Sequence, residues 1–268
     1  MNTVAWEPYQ LERNRFVRFR TIYTFERFVD LRRDQPLKIL DFGCGEGHSI
    51  DALWDYFPDA RFVGADISPA QLSAFTTHFG NRPRVTIVPM RNPLDTQNLG
   101  EDFDVVQINA LFEHLLPDER KALMPDLWQR LRPGGYFVVT ETPSRWFLID
   151  THTTSWPLIN YMPDSLALAA VRYCGRYPKS TTWQEALRAG VRGATCGEII
   201  SCIGASASAM EHVRSAKVDA RDLLEIWWQG ESRKTLLKTF TYQTLRWLQR
   251  STGILISPWV NLVLRKVA

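Results

Sequence analysis

The run LDFGCGEGHS, from Leu40 to Ser49, sets Asp41 and then Gly43, Gly45 and Gly47 directly behind the strand-like segment KILDF. Glycines at alternate positions let a chain turn through φ > 0 and bring its backbone close to a ligand, because no Cβ stands in the way. The segment from His48 to about Phe57 reads as a helix whose N-terminus, with unpaired amides and a positive dipole end, would point at whatever the loop holds. A small anionic or zwitterionic molecule suits that environment. A dinucleotide fingerprint would need glycine where His48 stands, and a Walker loop would need Gly-Lys-Ser/Thr, which is missing.

Asp66 closes the next strand-like run, RFVGAD, 19 residues after Gly47. At that spacing in a doubly wound sheet an acidic side chain reaches the ribose hydroxyls of a nucleoside, and a carboxylate accepts two such bonds. Groups able to move a proton stand further along: Glu113 and His114 after FDVVQIN, Glu141 at the end of GGYFVVTE, and His152 within TPSRWFLIDTHTTSW. His152 is flanked by Asp150, Thr151, Thr153 and Thr154, a polar cluster amid aromatics. The carboxyl ends of strands are where open α/β sheets bind ligands.

The elements that must position these groups alternate. A helix is predicted over 9–33, with Phe16, Phe19, Ile22 and Tyr23 on one side. Then come KILDF, a helix over 48–57, RFVGAD, a helix over 69–79, RVTIVP, FDVVQIN, a helix over 118–131, and GGYFVVTE. This is the rhythm of a parallel sheet buried on both faces. Ser68-Pro69 opens one helix, Arg132-Pro133-Gly134-Gly135 stops another, and Pro125 predicts a kink or two shorter helices. After Thr142-Pro143 the alternation fails. Residues 143–205 read as an insertion or lid with helical pieces near 164–174 and 182–189, followed by helices over 219–229 and 231–250 and a final strand, WVNLVLRKV.

The glycine run, Asp66 and the segment FDVVQINALFEHLLPDERKALMPDLWQRLRPGGYFVVTE, with its Leu-Phe-Glu-His turn and Leu-Arg-Pro-Gly-Gly step, together resemble the class I S-adenosylmethionine (SAM) dependent methyltransferases of small-molecule type. The resemblance covers roughly residues 37–142 and implies an α/β, Rossmann-like, doubly wound sheet of seven mostly parallel strands, with helices on both faces. It divides the chain into an N-terminal helical segment (1–36), the SAM-binding core (37–142), a helical insertion after strand five (143–205), and C-terminal helices with a last strand (206–268).

It also implies Asp41, Gly43, Cys44, Gly45, Gly47, Asp66, Ile67 and Asn109 as cofactor residues, Asp41 facing the cationic methionine end. Many relatives carry Gly-Asp-Ala after strand three, whose Asp contacts adenine; this chain reads VPMRNPL. Asn92, through its side-chain oxygen, and Met90, by packing on the ring, are the substitutes expected there.

SAM brings its own leaving group, so the protein must align an acceptor oxygen or nitrogen and, for a hydroxyl, take a proton. His114, His152 and Glu141 are the expected bases. The insertion is expected to wall the acceptor pocket with Trp146, Phe147, Trp156 and Tyr161, while Arg145, Arg172 or Arg176 would recognise a carboxylate or phosphate. No motif for nucleobase acceptors and no RNA-binding module is present, which favours a small-molecule acceptor, with sugars, lipid-linked compounds and natural products in view. The rival readings are a methyltransferase acting on RNA or protein and a non-catalytic SAM-binding subunit.

With 45% hydrophobic and 23% charged residues the composition is that of a soluble globular protein, and neither a signal peptide nor a membrane-spanning run is visible. Cys44, Cys174, Cys196 and Cys202 have neither metal nor disulfide spacing, so no metal is implied and a cytoplasmic location is the expectation. The net charge of +3 conceals a basic end: residues 201–268 hold 10 Lys+Arg against 5 Asp+Glu. In the helix predicted over 231–250, Leu236, Leu237, Phe240, Trp247 and Leu248 form an apolar stripe, with Arg233, Lys234, Lys238, Arg246 and Arg250 elsewhere on its surface. Such a stripe is expected to pack on the core, with contact to an anionic membrane as the other reading.

Overall fold

A computed structural model describes residues 8–79, 82–150, 152–205, 209–213, 221–230, 234–252 and 257–267. Its elements run α1 (Pro8–Phe28), β1 (Lys38–Phe42), α2 (His48–Tyr56), β2 (Arg61–Asp66), α3 (Pro69–Phe79), β3 (Val85–Pro89), β4 (Phe103–Asn109), α4 (Pro117–Gln129), β5 (Leu131–Pro143), α5 (Asp164–Tyr173), α6 (Trp183–Arg188), α7 (Cys196–Ile203), β6 (Met210–His212), α8 (Arg221–Gly230), α9 (Leu236–Thr252) and β7 (Trp259–Lys266). Short 3₁₀ turns occupy Phe112–His114 and Ile159–Tyr161.

The strands form one sheet in the order β3-β2-β1-β4-β5-β7-β6, with β7 antiparallel to both its neighbours. Side chains alternate between faces along a strand. Leu40, Phe42, Val106, Ile108, Phe137, Val139, Leu262 and Leu264 therefore feed one core, beneath α4 and α7. Ile39, Val105, Tyr136, Val138 and Val263 feed the other, beneath α1, α2 and α3. Both faces are apolar because both are covered, which is why the strands read as near-continuous hydrophobic runs.

Three expectations change. Of the two outcomes expected at Pro125, a pair of shorter helices does not occur: the segment is one helix, and Lys121, whose carbonyl loses its amide partner to Pro125, is exposed, so water can satisfy it. The insertion is not all lid: α7 buries Ile199 and Ile203 in the α4 core, while Ile159, Ala167, Val171, Ala186 and Val191 make a small core of their own. Third, the apolar stripe of α9 faces outward. Leu236 is 91% exposed and Trp247 64%, while the same helix buries Tyr242 and Gln249. At 100° per residue Leu236, Phe240 and Trp247 lie roughly opposite that buried pair. Residues 231–233, including Arg233, lie outside the described residues. No helix among the described residues is long and apolar enough to cross a membrane.

Candidate active site

At the carboxyl ends of β1, β2 and β4 the chain opens a cavity of about 390 Å³. The glycine loop forms its floor. Gly43, Gly45 and Gly47 have φ of 76°, 53° and 85°, and the amides of Gly43 and Cys44 both donate to the carbonyl of Ala65, tying the loop to β2. Gly43, Cys44 and Gly45 line the cavity, as do His48 and Ser49 from the first turn of α2. Gly47 does not line it; it sits under the loop, where a Cβ would lie 2.6 Å from the Phe75 ring.

Asp66 lines the cavity with Ile67 and Ser68. Its Oδ2 accepts from the Gly45 amide at 2.9 Å and its Oδ1 from the Ser68 amide at 2.8 Å. A carboxylate has about four acceptor sites, so each oxygen keeps capacity for a ligand hydroxyl. Asn109 also lines the cavity; its amide donates to Ser49 Oγ at 3.0 Å, and its Oδ1 is buried with no partner. An orphaned acceptor at the wall is what a ligand donor would satisfy.

Asp41 lies below this surface rather than on it. It is buried, accepts from Gln107 Nε2 at 3.2 Å, and has its other oxygen unpaired. Burial pushes its carboxyl up to about 7, against the Gln107 hydrogen bond and with help from the nearby Asp66 charge. Met90 is packed in the α4 core and Asn92 is exposed, its Oδ1 accepting from the Leu94 amide at 2.9 Å. Neither lines the cavity.

Of the three expected bases, His114 and Glu141 line the cavity and His152 does not. Glu141 is buried, with Oε1 lacking a partner. Burial raises its pKa, opposed by the charges of Arg20 and Arg13. Its φ of 61° is unusual for a non-glycine and falls where the β5–β7 register shifts between Val139 and Thr142. Such a bulge re-aims a side chain, and a left-handed residue at a cavity wall marks strain held by its surroundings. His114 Nδ1 lies 2.8 Å from the carbonyl of Arg188. A carbonyl only accepts, so Nδ1 carries the proton and Nε2 the lone pair. Burial lowers the His114 pKa, and lowers that of His152 to about 4 with help from His114.

The expected acceptor walls are not at the cavity: among the described residues, none of 143–205 lines it. Trp146 (63% exposed), Trp156 and Tyr161 face solvent, and Phe147 is buried. Arg145 is held by the carbonyls of Arg192 and Gly193 and by an ion pair to Glu198 at 2.9 Å. Arg172 and Arg176 likewise donate to backbone carbonyls, of Thr181 and Thr153. These guanidiniums brace the insertion. The wall is supplied instead by Arg13 and Val17 of α1, with Ala110, Leu111 and Gln71. No local motif in α1 announces this role; only the packing of α1 on α2 brings Arg13 there.

The sheet order, the reversed β7 and a cavity at the strand ends with an acidic residue after β2 define a class I, nucleoside-binding methyltransferase fold. Residues 40–137 match the family of the methyltransferase domain, so the chain carries a class I, SAM-dependent methyltransferase domain. Trans-aconitate 2-methyltransferase of Methylobacterium radiotolerans is 32% identical over 130 residues, 47% of this chain and 45% of that protein. The chain thus spans less than half the length of that relative. Among solved structures, phosphoethanolamine N-methyltransferase 2 of Haemonchus contortus, in complex with SAM, superposes with a TM-score of 0.51 at 16% identity, covering 92% of this chain and 52% of that one. The 4+2 cyclase SpnF superposes at 0.53 and 14% identity, covering 100% and 86%. At such identities the likeness is one of fold.

Proposed function

We propose that this protein transfers a methyl group from SAM to a small-molecule acceptor and releases S-adenosylhomocysteine (SAH). The observation that carries this is one cavity lined by the glycine loop and Asp66 together with Glu141, His114 and Arg13. The match to trans-aconitate 2-methyltransferase supports a small acceptor.

SAM supplies an electrophilic methyl on a cationic sulfur. In this reading Asp66 takes the ribose hydroxyls, the first-turn amides of α2 face the amino-acid end, since those of Gly43, Cys44 and Gly45 are already donated to Ala65 and Asp66, and Ile67 and Leu111 offer apolar faces to the adenine. Glu141 takes the acceptor's proton: its carboxyl lines the cavity, is buried, has an oxygen with no hydrogen-bond partner, and burial raises its pKa, the direction that makes a carboxylate a stronger base. Arg13 lines the same cavity, where its guanidinium would orient an acidic group of the acceptor or the cofactor.

Calorimetry with SAM and SAH, followed by transfer of a labelled methyl group to a panel of small acids, alcohols and amines, tests the reading. Glu141→Gln is expected to lower turnover by about 100- to 10,000-fold, the usual worth of a general base, while SAH affinity changes little. Binding of SAH without transfer to any acceptor would favour the non-catalytic alternative. Full activity of Glu141→Gln would remove Glu141 as the base.

The outward face of α9 supports a second reading, contact with an anionic membrane. Leu236, Leu237, Phe240 and Trp247 form its exposed apolar surface, and Lys234, Lys238, Arg246 and Arg250 lie on or beside the helix. Apolar insertion with basic attraction is how interfacial helices bind. Co-sedimentation with anionic but not neutral phospholipid vesicles, lost in Phe240→Glu/Trp247→Glu and weakened by salt, is the expected result. A concentration-dependent dimer with no vesicle binding would assign the face to a second copy instead.

A further inference from the structure

Glu113, His114 and His152 each offer one metal-ligating atom, and these atoms lie within 4.8 Å of one another. Their elements are distinct: Glu113 and His114 belong to the 3₁₀ turn after β4, and His152 to the loop after β5. Glu113 is 0% exposed, its Oε2 accepts from Thr142 Oγ1 at 3.0 Å, and its Oε1 is buried without a partner, 3.9 Å from His114 Nε2. The His114 and His152 rings stand 5.1 Å apart. A buried carboxylate oxygen with no donor is costly, and in a cluster whose carboxylate and two imidazoles all lie within 4.8 Å of one another a cation would satisfy it.

The surroundings hold this geometry. His114 donates Nδ1–H to the Arg188 carbonyl, which turns the Nε2 lone pair toward Glu113; metal-ligating histidines are oriented in this way by their second nitrogen. Asp150 accepts from the backbone amides of His152, Thr153 and Thr154 and from the hydroxyls of Thr153 and Thr154, fixing the loop that carries His152. Gly190 leaves the space: a Cβ there would come 2.6 Å from the His152 ring and 3.2 Å from Glu113 Cγ. Arg120, whose charge acts on Glu113, gives its hydrogen bonds to the carbonyls of Glu113 and Leu115 and to Glu198 instead of to the Glu113 carboxylate.

We propose that Glu113, His114 and His152 bind a divalent transition-metal ion at the edge of the active-site cavity. Two imidazoles and one carboxylate suit zinc, manganese or iron in preference to magnesium. Three protein ligands leave coordination positions open, and of the three His114 lines the cavity, so the ion would lie beside it. That deepens the methyltransferase reading and rests on it in one respect: the ion would hold and polarise an acceptor oxygen, which selects oxygen over nitrogen acceptors. It also leaves Glu141 as the base, since the His114 lone pair is then engaged.

The test uses the full chain without an affinity tag, stripped with a chelator and titrated separately with zinc, manganese and magnesium chlorides by calorimetry, and with cobalt(II) followed by visible absorption. One zinc ion per chain is expected, with magnesium far weaker. His152→Ala, on a partly exposed loop residue, is expected to weaken zinc binding by at least about 100-fold, beyond what loss of an outer-shell partner costs. Gly190→Ala should weaken it by displacing the His152 ring, and His78→Ala, remote from the cluster, should leave it unchanged. Absence of stoichiometric zinc binding, or zinc affinity unchanged in His152→Ala, overturns the proposal. SAH titrated into the same samples reports the methyl-donor site separately: SAH binding without zinc overturns the metal site alone, and zinc binding without SAH overturns the methyltransferase reading alone.

Discussion

Asp66→Ala is expected to lower the affinity for SAH by about 10- to 150-fold, the equivalent of losing hydrogen bonds to a charged acceptor worth about 1.5 to 3 kcal/mol. The size of the effect follows from what one carboxylate does at the end of β2. It holds the Gly45 amide, so the loop keeps its shape, and it holds the Ser68 amide, so the turn into α3 is set. Its remaining lone pairs face the cavity, where a ribose diol would meet them. Asp66→Asn keeps the size and one acceptor oxygen and is expected to fall between the wild type and the alanine variant. Calorimetry with SAH measures the loss, and a thermal melt of the unliganded variants separates ligand contact from loop anchoring. Unchanged affinity in both variants would mean that the nucleoside is not held at this edge.

The parts of this site that were legible from the chain are those encoded in consecutive residues. KILDFGCGEGHS and RFVGAD read correctly because a strand buried on both faces is a dense apolar run, and because a turn lined by glycine has few structural alternatives. β6 was silent: its three residues, Met210–His212, pair with β7 alone and have no buried face to leave a pattern. α7 was silent too, since CGEIISCI is a short, mostly apolar run that suits a strand as well as a helix.

What no local pattern could supply is the far wall of the cavity. Aromatic density after β5 suggested an acceptor pocket there, yet Trp146, Trp156 and Tyr161 point to solvent and the arginines among them brace backbone carbonyls. Arg13 and Val17 reach the cavity from α1, separated from the glycine loop by about 30 residues of sequence that carry no hint of the contact. The juxtaposition of Glu113 and His114 with His152 is of the same kind. Each residue was visible as a titratable group at a strand end, but their convergence depends on Gly190, a residue with no chemistry of its own.

Gly47→Ala is expected to cost about 2 to 5 kcal/mol of folding stability, the sum of about 1 to 2 for a Cβ in left-handed backbone and about 1 to 3 for overpacking. At φ 85° the new Cβ would sit 2.6 Å from the Phe75 ring and 2.8 Å from Phe79, aromatic side chains buried in the core beneath α2 and α3. Neither ring is a flexible tip that can swing aside. Gly134→Ala supplies the control, because φ there is 79° yet nothing lies within 4 Å of its Cβ, so only the backbone cost of about 1 to 2 kcal/mol applies. Urea denaturation of both variants isolates the packing share as their difference, and equal losses would show that the rings yield. The expected inequality gives the glycines of the loop different reasons for being glycine. Gly45 stands at the cavity, where a Cβ would meet only the end of the Gln71 side chain and bulk would compete with a ligand. Gly47 stands against Phe75 and Phe79, where bulk competes with the core, so that a motif read as ligand chemistry is in one of its positions a requirement of the fold.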